Sequence, residues 1–82
     1  MMRVEELRAE LHGRRVPRTV YCIGGEQNES HCIVEEHGSW HVFYSERGCR
    51  NSEEVFSQEP AACQEFLSRI LGDGAIVAWM ER

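Results

Sequence analysis

Eighty-two residues, 41% of them hydrophobic and 28% charged, make one domain (1–82) with a single core. At this size folding buries only about 60% of the unfolded chain's surface, which argues against a fold that engulfs a cofactor. No apolar run reaches the roughly 18 residues of a membrane span, and a net charge of −5 disfavours direct binding of nucleic-acid phosphates.

Val4, Leu7 and Leu11 fall on one helical face, with Glu5, Glu6, Arg8 and Glu10 outside it. Segment 2–12 is therefore expected to be a short amphipathic helix that is stable only when docked. Gly13 follows as a stop, and Pro17 lies beyond it. The run Thr19, Val20, Tyr21, Cys22 and Ile23 is β-branched and aromatic and predicts a strand, broken by Gly24 and Gly25. Residues 24–29 make a polar loop, 30–35 a second strand, and 36–39 a turn.

Segment 40–46 predicts a third strand, with Trp40, Val42 and Tyr44 on one face and His41, Phe43 and Ser45 on the other. An aromatic on each face marks an inner strand at least partly covered on each side. Residues 46–49 turn the chain, and 51–56 return as a polar edge strand with Val55 and Phe56 its only apolar members. Segment 60–71 is the clearest helix, starting at Ser57 or Glu59, striped by Ala62, Cys63, Phe66, Leu67, Ile70 and Leu71, and ended by Gly72. The last apolar segment, 75–80, is read as a strand from its length and β-branching, although Ala, Trp and Met also permit a helical turn. The expected fold is α+β, a small antiparallel sheet of three to five strands with the N-terminal helix and the 60–71 helix packed on it.

Charge is unevenly spread. Residues 1–20 carry five Arg against three Glu, whereas 21–65 carry nine Glu against Arg47 and Arg50. Such an acidic region attracts a basic partner and speeds its docking; it also simply keeps a small domain soluble. All nine basic residues are arginine, as a GC-rich bacterial genome would encode.

The spacing of chemistry-bearing residues points away from catalysis. His31, Cys32, His37, His41 and Cys49 lie close in sequence but lack the paired-knuckle spacing of a structural zinc site. Cys22, Cys32, Cys49 and Cys63 form no C-x-x-C pair, and the start of the chain shows no signal-peptide run. Reduced thiols in the cytoplasm are the expectation. Cys49, beside Arg47 and Arg50, is the one candidate nucleophile, without an identifiable histidine partner. Glu35 with Glu36, and Glu53 with Glu54, diverge if they lie in strands. Gly24 and Gly25 lack the lysine of a phosphate loop, and Tyr21, Trp40 and Tyr44 lack the basic residues of a stacking platform for nucleic acid. The expectation is a protein with no catalytic residue, no cofactor and no metal.

The run Gly38-Ser39-Trp40-His41-Val42-Phe43-Tyr44-Ser45-Glu46-Arg47-Gly48 and the helix start Phe56-Ser57-Gln58-Glu59-Pro60-Ala61-Ala62-Cys63 carry a resemblance. Over 7–71 the chain resembles the small α+β immunity proteins of bacterial polymorphic toxin systems, including those of contact-dependent growth inhibition. The resemblance implies stoichiometric inhibition of a cognate toxin domain, with basic-clefted nucleases among such toxins. Contacts are then expected from the acidic pool Glu26, Glu29, Glu35, Glu36, Glu46, Glu53 and Glu54, with Trp40 and Tyr44 in the core. Two other readings stand beside it. One is a regulatory or dimerisation module that pairs through the edge of 75–80; the other is a cysteine-dependent enzyme using Cys49.

Overall fold

The computed structural model describes residues 1–81. Its elements run α1 (Val4–Gly13), β1 (Tyr21–Ile23), β2 (Ser30–Glu36), β3 (Ser39–Glu46), β4 (Cys49–Phe56), α2 (Glu59–Leu71) and α3 (Gly74–Met80). The fold is α+β, with one four-stranded sheet in the order β1-β2-β3-β4. β2, β3 and β4 form an antiparallel meander, but β1 joins β2 in parallel, so the sheet is mixed. Such a short return link is possible because β1 has only three residues, and the loop 24–29 carries the chain back across its own length. β3 lies inside the sheet and β4 at its edge, as the aromatic and polar patterns indicate.

Both hairpin turns are two-residue type I′ connections. His37 and Gly38 have φ of 52° and 81°, and Arg47 and Gly48 have φ of 52° and 79°. Two successive positive φ values match the twist of the flanking strands, and glycine fills the second position of each turn without steric cost.

All three helices bury their apolar stripes on one face of the sheet. Leu7 and Leu11 of α1, Ala62, Cys63, Phe66 and Ile70 of α2, and Ile76 of α3 meet Tyr21, Ile33 and Val42 of the sheet in one core. Trp40 packs against this core half-buried. The N-termini of α1 and α2 are tied together, the Val4 N–H donating to Glu59 Oε2 at 2.8 Å. α2 begins after Gln58, with Pro60 in its first turn where a missing N–H does no harm.

Segment 75–80 is helical, which corrects the strand reading and removes the sheet edge on which the self-pairing alternative relied. Asp73 is the reason. Its Oδ1 accepts from the N–H groups of Ala75 (3.0 Å) and Ile76 (3.4 Å), capping the first turn of α3. That cap, together with burial of Ile76, outweighs the β-branching of Ile76 and Val77. Among the described residues no helix is long and apolar enough to cross a membrane.

Candidate functional site

The face of the sheet opposite the helices carries no helix of its own, yet Cys32 and Phe43 on it are fully buried. Two coverings explain this. The loop 24–29 folds over the β1–β2 end, held by Gln27 Nε2, which donates to Arg18 O, Thr19 O and Ser30 Oγ. Over Phe43 lies the guanidinium of Arg50, 4.3 Å from the ring centroid.

Arg50 then gathers carboxylates around itself. Its Nη1 and Nη2 donate to the two oxygens of Glu36 at 2.9 and 2.8 Å, a bidentate pair. Nε and Nη2 donate to Glu26 at 3.3 and 3.2 Å, and Nη1 also reaches Glu53 at 2.9 Å. Glu53 in turn meets His41 Nδ1 at 2.8 Å. Three carboxylates thus converge on one guanidinium, and the cluster stays acidic. The hydrogen bonds to Glu36 and then Glu26 push the Arg50 pKa up, so its charge is permanent. Arg50 holds Glu36 below the usual carboxylate range, and His41 followed by Arg50 does the same for Glu53.

A backbone irregularity makes the cluster possible. Residues three apart on a regular strand point to opposite faces, yet Arg50 and Glu53 meet. The β3–β4 register shifts between Val42 and Tyr44, and Ser52 has a φ of 54°. This bulge inserts one residue into β4 and returns Glu53 to the face of Arg50.

The expected acidic pool therefore divides. Glu26, Glu36 and Glu53 come together around Arg50. Glu54 points to the helix-covered face, where its Oε1 accepts from Arg69 Nη2 at 3.0 Å. Glu35 and Glu29 are exposed apart from the cluster, and Glu46 is exposed opposite Cys49 at the end of the β3–β4 hairpin. Each adjacent glutamate pair diverges across the sheet. Sequence reasoning missed Arg50, Phe43 and His41 as parts of this site. The available signal was a lone arginine in an acidic strand, two residues after a turn.

Two other clusters exist. His31 and Cys32 do point to opposite faces, and His31 Nε2 lies 3.0 Å from Asp73 Oδ2, with Tyr44 edge-on at 5.1 Å. The His31 contact, helped by the capped N–H groups, keeps Asp73 below its usual range. This pair fastens the start of α3 to the sheet. Cys49 is exposed and, among the described residues, no histidine is hydrogen-bonded to it. No group of three His, Cys, Asp or Glu among the described residues is arranged to hold a metal ion.

A cleft of about 620 Å³ runs between α1 and the outer edge of β1. It is lined by Glu5, Arg8, Ala9 and His12 of α1, by Arg18 and Gln27, and by β1 itself.

Comparison of the chain with protein-family models, curated proteins and solved structures found no match.

Proposed function

We propose that this protein is a non-catalytic binding protein, an immunity protein that neutralises a cognate bacterial toxin domain by stoichiometric binding in the cytoplasm of the producing cell. The contact surface is the helix-free sheet face, and the partner presents a basic cleft. The observation that carries this reading is the Arg50 cluster, in which one guanidinium holds Glu26, Glu36 and Glu53 in fixed positions on that face. Carboxylates fixed before binding lose little side-chain entropy on docking. Their residual negative charge steers a basic partner and speeds encounter. The same charge repels nucleic acid, so a toxin that acts on nucleic acid is met at its basic cleft rather than through its substrate.

The test is co-expression with the toxin domain encoded by the adjacent gene. A one-to-one complex on gel filtration and rescue of growth are the expected results. Absence of a complex with any toxin-like neighbour would count against the proposal, and so would an affinity that is indifferent to added salt.

A further inference from the structure

The two edges of the sheet are managed differently. β4 is guarded by its bulge at Ser52 and by Glu53 and Glu54, devices that discourage strand addition. β1 carries neither. His31 N–H donates to Val20 O at 2.9 Å, and Gly24 N–H to Ile33 O at 2.8 Å. In a parallel ladder those bonds turn the even-numbered residues toward β2, which leaves the N–H and C=O groups of Tyr21 and Ile23 facing the outer edge.

That edge is the floor of the 620 Å³ cleft, and α1 is its wall. Glu5, Arg8, Ala9 and His12 share the helical face that lines it, and Arg18 closes one end. Neither Arg8 nor Arg18 forms an ion pair among the described residues, and both are exposed. Two free guanidiniums therefore stand beside the unpaired strand edge, against the single carboxylate of Glu5. The cleft is basic on a protein whose net charge is −5.

We propose that this cleft takes an extended, acidic segment of a partner protein, which adds to the sheet as a fifth strand beside β1. The outward backbone groups of Tyr21 and Ile23 supply the ladder, Ile23 on the floor and Ala9 on the wall the apolar contacts, and Arg8 and Arg18 the pairing for acidic side chains. Three residues of strand are too few to hold a partner by backbone alone, so the guanidiniums carry selectivity. The cleft uses none of the carboxylates paired with Arg50, although Gln27 at its end follows Glu26 of that cluster in the loop 24–29.

The experiment is a titration of the isotope-labelled full chain, followed by amide chemical shifts, with a short blocked peptide alternating Glu and Val. Saturable shifts confined to residues 5–12 and 18–27 are expected. The double variant Arg8→Glu, Arg18→Glu, altered only at exposed positions, should weaken binding by about tenfold or more. Ile23→Pro, which removes an outward N–H, should abolish it. The proposal is overturned by no saturable shift at about 1 mM peptide, by equal binding of the same peptide with Lys in place of Glu, or by shifts centred on Arg50. A single-stranded oligonucleotide that fills the cleft while the peptide does not would also overturn it. So would concentration-dependent shifts at the same amides without peptide, which would make a second copy the occupant.

Discussion

The Arg50 guanidinium covers Phe43, 4.3 Å above its ring, while it pairs with Glu36 through both oxygens. One side chain thereby does the work of a missing layer. Phe43 is fully buried without a helix above it, and the Arg50 guanidinium lies over its ring. An isolated surface ion pair contributes little, but a bidentate pair set in a network contributes more, so Arg50 acts both by packing over Phe43 and by holding three carboxylates. Arg50→Met keeps some of the stem but leaves three carboxylates without their cation. It should cost about 1–3 kcal/mol in urea denaturation. Arg50→Lys keeps the charge, loses the fork, and should fall between the two.

Acid should act through the same groups. Glu36, Glu53 and Asp73 are each held below the usual carboxylate range. A depressed folded value contributes stability that is whole above the unfolded value and is lost as pH falls through the folded one. The melting temperature should therefore hold down to the ordinary carboxylate range of about 3.9–4.3 and decline below it. In Arg50→Met the decline should be shallower, since Glu36 then has no guanidinium to lose. Melting curves across acid pH check this.

The type I′ turns offer a stabilising change. His37 sits at a φ of 52° that asparagine adopts more readily. His37→Asn should raise stability by about 0.5 kcal/mol, and Gly38→Val, at a φ of 81°, should lower it by about 1 kcal/mol or more. Paired thermal melts would decide both.

The four thiols should separate by burial. Cys49 is exposed and Cys22 half-exposed, while Cys32 and Cys63 are buried. Burial pushes the Cys63 thiol up to about 11 and also raises Cys32. A chromogenic disulfide reagent should label Cys49 first and leave Cys32 and Cys63 until denaturant is added. Rapid labelling of all four thiols in the native state would contradict the burial seen here.

Much of this fold is legible in the chain. The alternation of Trp40, Val42 and Tyr44 against His41, Phe43 and Ser45 marks β3 as an inner strand. The stripe from Ala62 to Ile70 marks α2. Three features resist such reading for physical reasons. The parallel pairing of β1 depends on a strand short enough for the loop 24–29 to double back, which periodicity does not encode. Helix α3 hides in a β-branched run whose deciding residue, Asp73, also reads as a turn former. The acidic residues are plain in the sequence, but their convergence depends on a bulge at Ser52, where no glycine announces it. Three-residue spacing alone places Arg50 and Glu53 on opposite faces.

Under the proposed function, the face organised by Arg50 docks a basic partner by electrostatic attraction. The direct measurement is the association rate constant with the toxin domain proposed as its partner by stopped-flow fluorescence, taken across ionic strength, for the native chain and for Glu36→Gln with Glu53→Gln. The native rate should fall steeply with salt, and the double variant should associate about tenfold more slowly at low salt with a flatter dependence. Equal rates and equal salt slopes for the two proteins would contradict the claim.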